Sequence, residues 1–254
     1  MLIDTHCHLD AMEFDADRDA VVQRARASGV GRILVPAVET AGFDRTAAVV
    51  QRYSCCRPAY GIHPLYVDRA QPGDLELLRH RLELGGVVAV GEIGLDYFVD
   101  GADRERQGVY FSGQLELARE FGLPVVLHIR RAVDDILKYL RRIRVRGGIA
   151  HAFNGSAQQA QQFIELGFCL GFGGTMSFEG SRRIRRLATE LPEAALVLET
   201  DAPDMAPEWA RGQRNEPRNV PRFASELARL RSCETPEVVR FTGANALRVI
   251  PGLA

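Results

Sequence analysis

Lysine is almost missing from this chain. Lys138 is the only one in 254 residues, and arginine supplies the other cationic side chains. Lys138 falls inside a helical pattern running from Val133 to Leu140, away from any strand end. Schiff-base chemistry and lysine-anchored metal sites therefore find no support. An excess of charge of one sign is also missing. The formal net charge is −1, so no overall field draws the chain to nucleic acid or to a membrane surface. A phosphate-bearing substrate has to be met by local positive charge, which bound metal can supply. No apolar run approaches the roughly 20 residues that span a bilayer. The opening Met1-Leu2-Ile3-Asp4-Thr5-His6 has no basic region, and it puts a carboxylate and a histidine where a secretory leader needs apolar residues. The five cysteines, Cys7, Cys55, Cys56, Cys169 and Cys233, are odd in number and show no CxxC spacing. That pattern excludes a readable disulfide framework and points to a reducing, cytoplasmic location with no membrane partner. No linker, low-complexity tract or internal repeat divides the chain, so residues 1–254 read as a single domain.

What is present is an alternation. Short apolar runs separated by amphipathic segments predict βα units around a parallel sheet. The strand candidates are Leu2–Thr5, Arg32–Pro36, Pro58–Ile62, Val87–Gly91, Pro124–His128, Gly148–Ala150, Phe168–Gly171 and Leu196–Glu199. Eight strands in a chain close to 250 residues suit a TIM (β/α)₈ barrel. Val220, Phe223, Ala224, Leu227 and Leu230 recur at helical spacing, as do Ala157, Ala160, Phe163 and Ile164. Thr235-Pro236-Glu237 predicts an N-cap, a first-turn proline and a favourable carboxylate at the start of a last helix. The irregular stretch Ala202–Pro221 is expected to be a loop at the rim of the site.

A doubly wound open sheet would show the same alternation, and the placement of the polar residues decides between them. His6 and His8 follow the first strand, Glu92 the fourth, His128 the fifth, His151 the sixth and Asp201 the eighth. In a barrel the C-terminal strand ends converge on one face, whereas an open sheet would spread the first, fourth and eighth strands apart. Side chains two apart on a strand point the same way, so His6 and His8 can share one ion while Cys7 turns elsewhere. Cys7 and Cys169 read as small apolar core residues. Glu92 sits in Val90-Gly91-Glu92-Ile93-Gly94, which predicts a close-packed turn, and its two oxygens suit bridging of paired cations about 3.5–4 Å apart. Glu199, two residues before Asp201, is placed to accept a hydrogen bond from a ligating imidazole. Asp96 either orients a ligand or lies in solvent. His63, in Gly61-Ile62-His63-Pro64, reads as a donor to substrate phosphate or a proton donor. Arg130 points into the same mouth as His128 or opens the next helix. Gly173-Gly174-Thr175 reads as a turn, with phosphate binding as the alternative. The Arg182, Arg183, Arg185 and Arg186 run reads as a solvated face. His80 is given no role.

These residues carry a resemblance. Ile3-Asp4-Thr5-His6-Cys7-His8, Gly61-Ile62-His63-Pro64, Val90-Gly91-Glu92-Ile93-Gly94-Leu95-Asp96, Leu127-His128 with Arg130, His151 through Gly155-Ser156, and Glu199-Thr200-Asp201-Ala202-Pro203 together resemble the TatD family of metal-dependent hydrolases and deoxyribonucleases, in its YjjV-like branch. The match runs along almost the whole chain, and Asn215-Glu216-Pro217 matches a family loop after the last strand. One departure is Ile129, where related sequences often carry serine. The resemblance implies one metal held by His6, His8, Glu92 and Asp201 and a second held by Glu92, His128 and His151. It also implies phosphodiester hydrolysis, often as a 3′-to-5′ exonuclease on DNA, with nucleic-acid ends, DNA before RNA, as substrate and no obligate protein partner. The donor types suit Zn²⁺ and Mn²⁺ and, less well, Mg²⁺. In the resulting mechanism water activated by the metals attacks, Asp201, Glu92 and His63 are catalytic, and His63 and Arg130 also bind phosphate oxygens. Ester or amide hydrolysis, such as aminoacyl-tRNA deacylation, is the alternative on the same site. A non-catalytic metal-binding scaffold is a third.

Overall fold

The computed structural model describes residues 1–254. Eight strands run in sequence order: β1 (Leu2–Asp4), β2 (Val30–Pro36), β3 (Cys56–Tyr60), β4 (Ala89–Asp96), β5 (Val125–Arg130), β6 (Gly148–Ala150), β7 (Phe168–Phe172) and β8 (Leu196–Leu198). Every neighbouring pair is parallel and the spatial order is the chain order. The helices are α1 (Arg18–Ala27), α2 (Phe43–Arg52), α3 (Asp74–Glu83), α4 (Arg104–Glu120), α5 (Val133–Arg142), α6 (Ala157–Glu165), α7 (Arg182–Glu190), α8 (Val220–Arg231) and α9 (Thr235–Val249). No helix is long and apolar enough to cross a membrane.

The last strand meets the first through backbone hydrogen bonds. Thr5 N–H donates to Leu198 O at 3.0 Å, Asp201 N–H to His6 O at 2.8 Å and His8 N–H to Ala202 O at 2.8 Å. These bonds bring the chain termini of the sheet together and set His6, His8 and Asp201 side by side. An open sheet is thereby ruled out.

Alternation across the strands divides the apolar residues into two cores. The larger lies between the strands and the helices. The smaller takes Ile3, Leu34, Ala59, Ala89, Val126, Ile149, Cys169 and Val197, one from each strand, together with Val249, Ile250 and Leu253 from the C-terminal end. A packed layer therefore fills the barrel, and the end of α9 plugs it at the bottom. Two steps along from that layer on β5, β6 and β8 come His128, His151 and Glu199, and a further two bring Arg130 and Asp201. Period two alone stacks the polar set on the apolar one.

Two local expectations are corrected. Glu92 lies within β4, which runs on to Asp96 rather than stopping at Gly91. The register against β5 shifts between Val90 and Ile93, so Glu92 sits at a bulge. The strand continues because Gly94, at φ +156°, allows contact with β5: a Cβ there would come within 1.9 Å of His128 O. Thr235 is the first residue of α9 rather than its cap, which falls on Glu234 with no side-chain hydrogen bond, while Pro236 occupies the first turn as expected. Gly174 serves packing, since a Cβ on it would meet Met205 O at 2.1 Å, where the β7 loop rests on the loop after β8. By contrast α6 begins where local chemistry demands, with a reciprocal cap between Ser156 and Gln159.

The candidate metal centre

Glu92 is the hub of the mouth. It is 2% exposed, and its two carboxylate oxygens face different imidazoles. Oε2 lies 3.1 Å from His6 Nε2 and 3.3 Å from His8 Nε2. Oε1 lies 2.9 Å from His128 Nδ1 and 3.5 Å from His63 Nε2. Asp201 closes the cluster from β8, with Oδ1 3.6 Å from both His6 Nε2 and His8 Nε2 and Oδ2 3.5 Å from His151 Nε2. All six residues expected to hold metal thus stand together, and His63 joins them.

Their grouping differs from the pattern the resemblance implies. Ligand atoms fall within 4.8 Å of one another in three sets: His6 with His8 and Asp201, His6 with Glu92 and His151, and His63 with Glu92 and His128. His151 therefore leans toward β8 and stacks on His6, ring centroids 3.7 Å apart, instead of joining His128. The cause is electrostatic. Glu199 Oε1 lies 2.9 Å from His151 Nδ1, and Asp201 faces its other nitrogen. Burial opposes charge on His151, but these two carboxylates outweigh it and hold its pKa well above the ordinary histidine value.

The same balance operates across the cluster. Burial disfavours charge on His8, yet the hydrogen bond to Glu92 and the charges of Glu92 and Asp201 raise it to about 9. Asp201 is resisted by burial but held at about 2 by His151, His6 and His8. Buried imidazoles are in effect supplying positive charge to buried carboxylates. Oxygen and imidazole donors held this way suit a divalent cation, which would take the place of those protons. Two further features fit that exchange. His8 Nδ1 stands 3.1 Å from Pro36 O, which places the proton there and leaves Nε2 free to ligate. His6 Nδ1, His151 Nδ1 and Glu199 Oε2 are buried without a hydrogen bond of good geometry, an arrangement costly unless a charged neighbour compensates, as Glu199 does for His151.

His63 behaves otherwise. Its Nδ1 accepts the Leu65 N–H at 3.1 Å, so the neutral ring carries its proton on Nε2, facing the cluster. Burial, then the neighbouring charge of His128, lowers its pKa to about 4. A neutral ring with an inward N–H is a hydrogen-bond donor, not a cation's ligand. Asp96 is fully buried, and its Oδ2 lies 3.0 Å from His128 Nε2. It therefore orients the ring, and the solvent-facing alternative falls. Arg130 ends β5 exposed at the rim. The Arg182–Arg186 run is largely consumed: Arg183 donates to Asn154 and Arg185 pairs with Glu226.

Two buried residues that the sequence showed only as parts of motifs have roles of their own. Asp4 accepts from Thr200 N at 2.9 Å and Thr200 Oγ1 at 2.6 Å, tying β1 to the segment that carries Asp201. Burial pushes its carboxyl up to about 7. A carboxylate inside an apolar strand was the available signal. Asn215 is fully buried, and its Nδ2 donates to Thr200 O at 2.8 Å and to Met205 O at 3.3 Å, while its Oδ1 accepts from Glu216 N and Asn219 Nδ2. Next to it Glu216 takes a two-pronged ion pair from Arg24 on α1. Asn215→Ala strands several of these groups in the interior, and urea unfolding is expected to show a loss of about 1–3 kcal/mol.

A parallel eight-stranded barrel with an imidazole–carboxylate cluster at the C-terminal mouth defines the class of barrel hydrolases that work with metal. The model of the family described as TatD related DNase matches residues 3–251. The chain belongs to the TatD family of metal-dependent hydrolases. The uncharacterized metal-dependent hydrolase YjjV of Escherichia coli (strain K12) is 42% identical over 241 residues, covering 94% of this chain and 93% of that protein. The crystal structure of Escherichia coli YjjV superposes with a TM-score of 0.95 at 40% identity, covering 98% of each chain. The 3′-5′ ssDNA/RNA exonuclease TatD of Klebsiella pneumoniae (strain 342) is 33% identical over 252 residues, covering 96% of this chain and 95% of that one.

Proposed function

We propose that this protein is a metal-dependent phosphodiesterase that removes nucleotides from DNA ends in the 3′-to-5′ direction. The observation that carries the reading is the double use of Glu92, one oxygen toward His6 and His8 and the other toward His128. Such a carboxylate suits two cations side by side, and paired cations suit in-line displacement at phosphorus. His6, His8, Glu92 and Asp201 would hold one ion, and Glu92 and His128 the other, with His151 swinging from Asp201 to complete it. Zn²⁺, Mn²⁺ or Mg²⁺ bound there would supply Lewis acidity toward phosphoryl oxygen and acidify water.

The chain's own groups do the rest. Asp201 is 17% exposed and ionised at neutral pH, so its carboxylate can take a proton from attacking water. His63 donates its Nε2 proton to a non-reacting phosphate oxygen, and Arg130 adds charge at the rim. Asp96 and Glu199 fix the rings of His128 and His151, the usual service of carboxylates behind a ligand imidazole. The Klebsiella pneumoniae relative, named for single-stranded DNA and RNA, supports a nucleic-acid substrate. All five cysteines are free, which supports a reducing, cytoplasmic place of action.

A substrate panel tests the proposal. End-labelled DNA, labelled RNA and acyl esters are incubated with the same metal-loaded protein. Shortening of single-stranded DNA from its 3′ end is the expected result, with RNA slower. Acyl-ester turnover without oligonucleotide cleavage would overturn it in favour of deacylation.

A further inference from the structure

The outer rim carries a group of side chains that the chemistry above leaves largely unused. Phe98, in the loop from β4 to α4, is 44% exposed, as is Val99 beside it. An aromatic ring left in water beside a polar cleft is available for contact. The Arg130 guanidinium carbon stands 3.7 Å from the centre of the Phe98 ring and that of Arg131 stands 4.6 Å away. Arg131 holds φ at +55°, a left-handed conformation that is costly for a residue with a side chain and recurs at ligand sites. This group is wired to the cluster. Phe98 N–H donates to Asp96 Oδ1 at 2.8 Å, while Asp96 Oδ2 meets His128 at 3.0 Å. One carboxylate therefore sets the spacing between Phe98 and the metal centre. Beyond Arg131 lies an open cavity of about 390 Å³, lined by Tyr97, Arg104 and Arg131 together with the carboxylates of Asp134 and Asp135. The Arg104 guanidinium carbon stands 4.5 Å from the centre of the Tyr97 ring.

We infer that Phe98, flanked by Arg130 and Arg131, is a stacking subsite for an unpaired nucleobase at the end of the strand being cut. The inference rests on the phosphodiester reading and narrows its substrate to frayed or single-stranded ends that carry a base. An aromatic ring and guanidinium planes stack on any base and attract the backbone that bears it. A base inside a duplex is stacked on both faces and held by its pair, whereas one splayed from a frayed end has a face to offer. The carboxylates of Asp134 and Asp135 in its lining repel phosphate from the cavity. The backbone is thereby turned toward Arg130 and the cluster, and the base is left over the aromatic rim.

The test uses a short single-stranded DNA ending in 2-aminopurine, whose fluorescence is quenched when it stacks, with phosphorothioate linkages that resist hydrolysis. Metal-loaded wild-type protein is expected to quench it. Phe98→Ala removes the quenching and weakens binding about 5- to 150-fold, the range that losing one base–aromatic contact produces. Phe98→Tyr keeps both. Unchanged affinity and quenching in Phe98→Ala overturn the subsite, as does an absence of quenching by the wild type. Cleavage of the ordinary oligonucleotide, followed in parallel, separates the two readings. Cleavage without quenching sinks the subsite alone, whereas Phe98-dependent quenching without cleavage upholds it and sinks the phosphodiesterase.

Discussion

Glu92→Ala is expected to lower kcat by about three orders of magnitude or more, with the barrel still folded. That factor corresponds to the several kcal/mol of transition-state charge stabilisation that metal ions contribute. Glu92 alone faces both halves of the cluster, so alanine at this position leaves neither half a complete donor set. The fold survives because the groups that lose their partner are histidines. With Glu92 gone, the proton that holds His8 at about 9 loses its main support, and the ring can return to its neutral form instead of stranding a buried charge. The barrel layer beneath, from Ile3 to Val197, is built of buried apolar side chains that make no use of Glu92. Metal analysis of the purified variant should show fewer ions bound per chain, and circular dichroism an unchanged far-ultraviolet spectrum. A folded variant that turns over at the wild-type rate would defeat the assignment.

Metal affinity of the stripped protein is expected to climb steeply with pH. His8 is held at about 9, and His128 and His151 lie above the ordinary histidine value, each against the pull of burial and through their carboxylate neighbours. A cation must displace protons from these nitrogens before they can ligate. The sign follows directly. Below about pH 9 the proton displaced from His8 makes apparent affinity rise tenfold per pH unit, and above it that contribution levels off. Between pH 6.5 and 8.5 one displaced proton gives about a hundredfold, and two give more. Competition against a fluorescent chelator at several pH values measures the slope. An affinity that does not change over that range would mean that these imidazoles do not take the ion.

Much of the architecture could be read along the chain because period two and period 3.6 are local properties. Gly148–Ala150 coincides with its strand, and the other seven strands overlap their expected spans. Asp201 and His6 were assigned to one mouth only by assuming closure, and closure is made by backbone bonds between segments nearly 200 residues apart. Glu92 shows the limit of local reading. Its place inside β4 depends on how Gly94 fits against His128 O on the next strand, which no periodicity encodes. Asp96 was undecided for the same reason, since its burial is set by His128 and by the loop carrying Phe98. Asn215 was visible as part of a motif, but what it anchors is not, because the groups it satisfies come from turns that only meet after folding.

By itself the amino-acid order determined which residues bear donor atoms, which face of each strand they take and that eight βα units follow one another. Tertiary structure decided which donors share a neighbour. It turned His151 toward Glu199 and Asp201, set His63 opposite Glu92 with its N–H inward, and left Phe98 in solvent beside two arginines. Periodicity fixes only a direction along one element, whereas distances between elements are settled by how strands, glycines and buried charges pack against each other.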